Sequence, residues 1–551
     1  MSACSQSPPV PAKGAEPRVG GRAVVAFATG VPAPRNITPV LASDSAASDL
    51  TRLQYESLIG VDPSTGAPSA RLAERFAASP DGRALTFTLR PGLVWSDGSE
   101  LRADEFKLTV ELLLRSQLNV RKATYQDVVG ASDFVAGRAP SVAGIEIDDR
   151  TITVRLGRAF CPALTAIGTL AILPRQVFGK YLDPADPARN ADAAPENSEP
   201  PLASGAFAFK ERRADGIVLR RNDRFFLGRP LLDELVLGTV PNSAAWLAGL
   251  RAGDIHVAAA AVLAPSDKED LRRSRDLELR QYLQPRYTYI GWNLLRGDAE
   301  FFQSKAVRQA LAYGLDVEAI LDKILGGDAV RMLAHTPPGS WAYDPAGLSP
   351  YRYNPARAEQ LLDDEGWRRG ADGVRRKDGR PLQFTLTTSD QVDFRALLDQ
   401  AAQQYRQLGI LVTPQVIPFD QLVAVLGAAN DPTYGSRGGR AVDAWIIRWV
   451  LPPDPDSYSV WHSSQIRAGL NYGGYSDAVV DKALEDGRTS CAPEQRKAAY
   501  HAVDVKLNDD QPYLFAFAPK AYVIQSRRLK GVEPSTFGGY LWNTEKWWLG
   551  D

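Results

Sequence analysis

Few residues in this chain have the type and spacing that catalysis or metal binding requires. Its 4 histidines, His256, His335, His462 and His501, form no H-E-x-x-H pair, and no G-x-S-x-G elbow, P-loop or G-x-G-x-x-G helix start is present. Carboxylate pairs are common among 65 acidic residues and are usually solvated, so glycosidase chemistry is only a residual possibility. The sequence therefore favours a binding protein over an enzyme and predicts no metal or cofactor.

One segment does combine side chains suited to ligand binding. Residues 446–461, IIRWVLPPDPDSYSVW, run from an apolar strand into a rigid acidic loop and back to aromatic residues. Strand alternation places Trp445 and Trp449 on one side and Arg448 on the other. A tryptophan offers a flat apolar face, and an arginine can hold a carboxylate through two hydrogen bonds or form a salt bridge with a neighbour.

Length and charge exclude several classes of protein. A chain of 551 residues exceeds the usual size of one hydrophobic core, which predicts two or three lobes. The 64 basic and 65 acidic residues nearly cancel, and no basic run suggests nucleic acid as a partner. No apolar stretch approaches the roughly 20 residues of a membrane-spanning helix.

The three cysteines raise two separate questions, lipid attachment and disulfide formation. Cys4 follows small residues and precedes a proline-rich polar run, as the acylated cysteine of a bacterial lipoprotein does; the alternative is a chance cysteine in a disordered cytosolic tail. Cys161 and Cys491 could pair in an oxidising compartment. Nothing in the sequence brings them together, so we do not predict that bond.

Alternation and capping residues predict the elements that would position these groups. Strands are expected at 22–30 and 85–90, a hairpin at 144–156, and helices after the caps Ser304 and Asn354. Apolar residues from Phe394 to Leu408 recur at helical spacing between two strand patterns. This order predicts a βαβ unit.

Longer stretches resemble one known family. "ARLAERFAASPDGRALTFTLRPGLVWSDGSELRADEFKLTVELL" is similar to the signature of the family 5 extracellular solute-binding proteins, which bind dipeptides and oligopeptides for ABC importers. "SGAFAFKERRADGIVLRRNDRFF", "FFQSKAVRQALAYGLDVEAILDKILGGDA", "YRYNPARAEQLLDDEGW" and the D-P-D segment follow in family order. The resemblance covers nearly the whole chain.

The resemblance implies an α/β, two-lobed periplasmic-binding-protein fold of class II, cluster C type. The implied boundaries are a lipoprotein tether at 1–20, lobe I at 21–286 with an inserted subdomain at about 60–195, lobe II at 287–511, and a return to lobe I at 512–551. Two strands would cross between the lobes, near 287–292 and 512–517. The protein would be a monomer outside the cytoplasm, anchored by lipid on Cys4, and would deliver a peptide or similar polar solute to an ABC permease.

The resemblance also assigns ligand contacts near Trp449. Peptide-binding members carry an aspartate three residues after this tryptophan, which pairs with the peptide ammonium, but here Pro452 stands at that place. Asp454 is either a turn former or a replacement ligand, and Asp44 and Asp456 are two further possible replacements. Trp449 is assigned to the cleft in preference to the core, and Trp445 to the core.

Further contacts are assigned to other parts of the chain. Ser43, Asp44 and Ser45 match a loop whose backbone bonds an extended ligand, although Asp44 or Ser45 also suits a helix cap. Tyr125 matches either a cleft position or helix packing. The remaining candidates are Trp292 and Asn293 after the first crossing, Tyr343, and the glycine-rich residues 434–440.

The missing aspartate leaves the ligand open. Family members also carry oligosaccharides, opines and nickel complexes, and the 11 tryptophans suit flat sugar faces. A second possibility is a relative that has lost transport and acts as a regulatory lipoprotein of the cell envelope.

Overall fold

The computed structural model describes residues 16–119, 122–182, 190–295, 297–427 and 442–550. Cys4 and residues 434–440 lie outside this part of the chain, so the lipid anchor and the glycine-rich rim remain sequence-based predictions. No helix in the described ranges is long and apolar enough to cross a membrane.

The described chain alternates strands and helices. The strands are β1 (Arg22–Thr29), β2 (Ile59–Val61), β3 (Pro68–Ala70), β4 (Ala73–Ala78), β5 (Ala84–Leu89), β6 (Ile145–Asp148), β7 (Thr151–Arg155), β8 (Phe207–Arg213), β9 (Gly216–Arg221), β10 (Glu234–Val240), β11 (Val257–Ala260), β12 (Leu277–Leu283), β13 (Arg286–Trp292), β14 (Ala329–Arg331), β15 (Arg368–Arg369), β16 (Arg375–Lys377), β17 (Arg380–Pro381), β18 (Gln383–Thr388), β19 (Leu411–Val416), β20 (Ala444–Val450), β21 (Tyr513–Ser526), β22 (Leu529–Lys530) and β23 (Trp548–Leu549). The helices are α1 (Ser45–Gln54), α2 (Asp104–Arg115), α3 (Ala131–Val135), α4 (Ala163–Gly168), α5 (Arg175–Phe178), α6 (Ser243–Ala252), α7 (Pro265–Arg273), α8 (Lys305–Tyr313), α9 (Val317–Ala319), α10 (Pro355–Asp364), α11 (Val392–Gln407), α12 (Phe419–Gly427), α13 (Tyr458–Trp461), α14 (Gln465–Ala468), α15 (Ala478–Thr489) and α16 (Pro493–Asp510).

A large mixed sheet runs through two lobes. Its strand order is β19-β18-β20-β13-β21-β11-β1-β10-β9-β8, and β12 and β14 also pair with β21. We call the part built on β1 and β8–β12 the first lobe, and the part built on β13–β20 the second lobe. A separate antiparallel sheet, β4-β5-β7-β6, forms a subdomain attached to the first lobe.

Two neighbouring strand paths connect the lobes. β12 belongs to the first lobe and leads through Gln284 and Pro285 directly into β13 of the second lobe. β21 pairs with β13 at its start and with β11 and β12 at its end, so it crosses between the lobes without interruption. The Gln284 amide donates to the carbonyl of Pro519 at 3.0 Å, which holds the two crossings together.

Each lobe buries its own apolar side chains. The first lobe packs around Val25, Leu235 and Val257, and the subdomain around Leu85, Phe87 and Phe106. The second lobe has a core on each face of its sheet, and β13 supplies residues to both. The two lobes and the subdomain are therefore separately packed bodies, consistent with the length of the chain.

Local sequence signals predicted many of the elements correctly. Side chains of Ser304 and Asn354 accept hydrogen bonds at the starts of α8 and α10. β18 and β19 pair in parallel around α11, which confirms the βαβ unit. The hairpin of β6 and β7 turns through Asp149, whose φ is 48°.

The expectation that Cys161 and Cys491 do not pair was wrong. Cys161 and Cys491 form a disulfide across 330 residues, with their Cα atoms 5.2 Å apart. Cys161 belongs to the subdomain and Cys491 joins α15 to α16 in the second lobe. No local pattern predicts this bond because only the tertiary fold brings these segments together.

Candidate functional site

Trp449 lies at the exposed end of β20, where the strand leaves the second-lobe core. Its indole stacks between the rings of Tyr289 and Tyr472, with centroid distances of 6.1 and 5.5 Å. The side chain is half-buried, and its Nε1 is buried without a hydrogen-bond acceptor among the described residues. Trp445 on the same side of the strand is fully buried, as expected for a core residue.

Three other predicted contacts are buried within the protein and must be corrected. Trp292 has no exposed surface and stacks on Phe302 at 5.1 Å, because the last residue of β13 faces the second-lobe core. Asn293 is also fully buried, and its Nδ2 donates to the carbonyl of Val442. Tyr125 packs in the subdomain core. We remove these side chains from the candidate site.

Arg448 is engaged by neighbours in its own lobe. It forms an ion pair with Asp393 of α11, and its Nε donates to Thr288 Oγ1 at 3.1 Å. Its guanidinium also lies 4.9 Å from the ring centroid of Phe394. The salt-bridge alternative therefore describes Arg448 better than a free carboxylate-binding side chain.

The two loop aspartates bind arginines of neighbouring helices. Asp454 accepts two hydrogen bonds from Arg496 of α16, at 2.7 and 2.9 Å, and one from the amide of Asp456. Asp456 accepts from Nε of Arg488 at 2.9 Å, at the end of α15. Burial favours a lower pKa for Arg496, but the carboxylate of Asp454 outweighs that effect and raises it. These contacts brace the loop and use both carboxylates, so neither replaces the missing aspartate.

The predicted first-lobe loop is exposed. Ser43, Asp44 and Ser45 all face solvent, and Asp44 Oδ1 accepts from the amide of Ala47 at 2.8 Å, which caps α1. Tyr343 is half-buried in a second-lobe loop, and burial raises its pKa. Ser45 and Ala46 already belong to α1, whereas Asp44 before them has an extended backbone.

A cavity beside α1 was not predicted from the sequence. It has a volume of about 320 Å³ and is lined by residues of α1, the β2–β3 hairpin and positions 537–545. Aromatic side chains of Tyr55, Phe225, Phe537 and Trp542 line it together with charged residues. Phe537 also lines a small gap of about 10 Å³ against Pro452 and Asp454 of the second lobe. The cavity thus adjoins the boundary between the lobes at Phe537.

The charges around this cavity are predominantly negative. Arg52 pairs with Asp49, and Arg71 pairs with Glu56. Two further acids line the cavity: Asp62 accepts hydrogen bonds from Ser64 and Thr65, whereas Glu545 has no ion-pair partner among the described residues, and burial raises the pKa of Glu545. Burial also raises the pKa of Asp49, although Arg52 acts in the opposite direction. Such a lining favours a ligand group that carries positive charge.

A buried polar cluster supports the second-lobe loop next to this boundary. Asp504 of α16 accepts hydrogen bonds from the amides of His335 and Thr336, each at 3.2 Å. Trp461 donates through Nε1 to His335 Nδ1 at 3.0 Å. Burial lowers the pKa of His335 to about 3 and raises that of Asp504 to about 6. The imidazole is therefore neutral at physiological pH and acts as a structural hydrogen-bond acceptor.

Neither the cavity nor Glu545 could be found from local sequence patterns. The lining comes from segments around positions 49–71, 206–225 and 537–545, and no spacing rule connects them. A single glutamate in a terminal segment looks like any solvated acid. Only the packing of the terminal segment against α1 gives Glu545 its surroundings.

Comparison with known proteins places this fold and cleft in a family. A model described as "Bacterial extracellular solute-binding proteins, family 5 Middle" matches residues 67–468. The chain belongs to this family. The two-lobed architecture and the strand crossings are thus those of a family 5 binding protein.

Relatives cover almost the entire length of this family 5 chain. Oligopeptide-binding protein AppA of Bacillus subtilis is 30% identical over 539 residues, which are 97% of this chain and 92% of AppA. The structure of B. subtilis AppA in complex with a nonapeptide matches with a TM-score of 0.67 at 29% identity, over 97% of this chain and 100% of that one. The substrate-binding protein CtaP of Listeria monocytogenes shares the fold, with a TM-score of 0.78 at 20% identity, over 97% of this chain and 100% of that one.

Proposed function

We propose that this protein is the extracytoplasmic substrate-binding component of an ABC importer and that it captures a peptide between its two lobes. The observation that carries the proposal is the 30% identity to oligopeptide-binding AppA across 97% of the chain. The AppA structure that holds a nonapeptide supports it, because its match extends over the same share of this chain.

The proposed ligand site lies between the first-lobe face of α1 and the second-lobe end of β20. Trp449 would cover an apolar part of the peptide, while the backbone of residues 43–46 would bond to it as an added strand does. Tyr343 would lie at the rim of this ligand site. Glu545 is the acid best placed to receive the positive charge that the family aspartate receives elsewhere, because Arg52 already holds Asp49.

Capture would require a change in the angle between the lobes. The β12–β13 junction and β21 are the two crossings about which the lobes would move. A ligand held by both lobes stabilises the arrangement in which it makes more contacts, so binding alone supplies the free energy. No covalent step is needed, and we propose that the protein is not an enzyme.

The cellular setting follows from the family and from Cys4. We propose a monomer held at the outer side of the bacterial cell membrane by lipid on Cys4, with an ABC permease as partner. We also keep the boundaries 21–286, 287–511 and 512–551 as the proposed lobes, with the tether at 1–20 and the inserted subdomain at about 60–195.

Mass spectrometry of small molecules released by denaturing the purified protein tests this proposal. A set of peptides in the released fraction is expected. A single sugar, opine or metal chelate would instead show that the loss of the family aspartate changed the ligand class.

A non-peptide ligand or a non-transporting role is the second candidate, and one observation favours it. Asp454 and Asp456, the two acids after Trp449, form ion pairs with Arg496 and Arg488. The loop therefore offers no free carboxylate for an ammonium group. A protein that binds no solute from a chemically diverse library would support the regulatory lipoprotein.

A further inference from the structure

The disulfide between Cys161 and Cys491 connects two bodies that hinge motion would separate. Cys161 lies between β7 and α4 of the subdomain, and Cys491 lies between α15 and α16 of the second lobe. The turn at Gly82 covers the bond so closely that a Cβ atom there would lie 3.3 Å from Cys161 Sγ and 3.4 Å from Cys491 Sγ. The bond is therefore built into a packed contact and does not lie in a loose surface loop.

Other contacts cross the same boundary. The amide of Cys161 donates to the carbonyl of Arg488 at 2.7 Å, and the Arg488 guanidinium lies 5.3 Å from the ring centroid of Phe160. The amide of Trp341 in the second lobe also donates to the carbonyl of Thr65 in the β2–β3 hairpin at 2.9 Å. The subdomain and the second lobe thus meet across an interface that the disulfide makes covalent.

The second-lobe side of this interface is rigid. Arg488 is fixed by the carboxylate of Asp456, and Arg496 is fixed by that of Asp454. These ion pairs attach the loop that follows β20 to helices α15 and α16, directly beside Cys491. A constraint at Cys491 is therefore transmitted to the whole second lobe and not absorbed by a flexible segment.

The strand crossings and the disulfide join the lobes at two separate places. β21 and the β12–β13 junction are hydrogen-bonded neighbours and act as one connection. Two bodies joined at two places can rotate freely only about the line that passes through both. We infer that the Cys161–Cys491 bond is an interlobe latch that restricts opening of the cleft to this single rotation.

The latch sets how fast a ligand can leave if the protein captures one as proposed. Restricted opening lowers the population of open arrangements from which the ligand can leave. The ligand therefore dissociates more slowly with the disulfide than without it. The restriction of lobe motion itself does not depend on the identity of the ligand.

Hydrogen exchange in the full-length protein tests the latch. The double variant Cys161→Ser, Cys491→Ser is compared with the disulfide-bonded wild type, whose bond is verified as a linked peptide in a non-reducing digest. The amides of Cys161 (Ser in the variant) and Trp341, which donate across the interface, are expected to exchange at least tenfold faster in the variant. The amides of Ile172 and Leu294, bonded within one lobe to Glu56 and Gly473, are expected to keep their rates.

A reductant separates the latch from effects of the serines. Wild-type protein treated with a phosphine reductant should reach the exchange rates of the double variant, and the double variant should not respond to it. Equal rates at Cys161 and Trp341 with and without the bond would overturn the inference, as would the absence of a linked peptide. An equal increase at all four amides would show general destabilisation instead. Hydrogen exchange does not depend on peptide binding, so failure of the latch and failure of the proposed function are distinguishable.

Discussion

At the scale of single residues, the site depends on which polar groups remain uncommitted after folding. Asp454, Asp456 and Arg448 are the charged candidates closest to Trp449 in sequence, yet each is held by a partner within the second lobe. Glu545 has no such partner among the described residues and lies beside a cavity. Among these acids, Glu545 of the first lobe is therefore the one that we propose for recognition of a positive charge.

Trp449→Ala should weaken ligand binding about tenfold or more, because the indole supplies a large apolar contact at the cleft. The loss of stability should be smaller than for Trp445→Ala, whose fully buried side chain is expected to contribute about 3–5 kcal/mol. Calorimetric titration and thermal melting of both variants check this. If Trp449→Ala melts as early as Trp445→Ala and binds normally when folded, Trp449 is a core residue.

Glu545→Gln should remove a preference for cationic peptides. A hydrogen bond between charged groups contributes about 1.5–3 kcal/mol, so affinity for lysine-containing peptides should fall about tenfold, while norleucine analogues keep theirs. Glu533→Gln, an exposed glutamate in the same terminal segment, is the matched control and should change neither. Equal affinities for both peptide sets in wild-type protein would exclude Glu545 as a recognition residue without challenging peptide binding itself.

Asp504→Asn should flatten the dependence of stability on pH. Burial raises the pKa of Asp504 from 3.8 to about 6, so the wild-type protein loses stability as pH rises through this range. The loss amounts to about 3 kcal/mol, and an uncharged asparagine does not incur it. Denaturant unfolding at pH 4 and pH 7 measures the difference, with the exposed Asp509→Asn as control. Titration of His335 occurs in each protein and cancels in the comparison.

At the scale of elements, the rigid loop after β20 is a brace between a strand and two helices. Its prolines restrict the backbone, and its aspartates attach it to α15 and α16. The loop therefore holds the end of β20, and with it Trp449, in place before a ligand arrives.

Asp454→Ala should destabilise the protein by about 3–5 kcal/mol, because it leaves Arg496 buried without its partner. Removing both charges in Asp454→Ala, Arg496→Met should recover much of this loss. Chemical denaturation of both variants checks the brace. A stable Asp454→Ala protein with greatly reduced affinity would instead identify Asp454 as a ligand contact.

Elements were predictable where the decisive residues are close in sequence. Ser304 and Asn354 mark helix starts by bonding the next turn, and the stripe from Phe394 to Leu408 defines one face of α11. Trp292 was misplaced because the side of β13 that faces the core depends on its pairing with β20 and β21. Local alternation contains no information about those partners.

At the scale of the whole molecule, long-range contacts determine what the sequence could not reveal. The disulfide spans 330 residues, and the cavity beside α1 requires the terminal segment to return to the first lobe. The resemblance to family 5 predicted the lobes and crossings because these features belong to the shared fold. The latch and the position of Glu545 are features of this chain's own tertiary packing.

Capture of a peptide between the lobes is best tested by measuring binding to ligand-free protein. The protein would be unfolded to release any retained molecule, refolded with its disulfide intact, and titrated calorimetrically with a defined pool of peptides of about four to nine residues. We predict saturable binding of one peptide per protein, with affinity about tenfold or more lower in Trp449→Ala. A correctly refolded protein that binds no peptide of the pool, yet binds a sugar or a metal chelate, would contradict peptide capture.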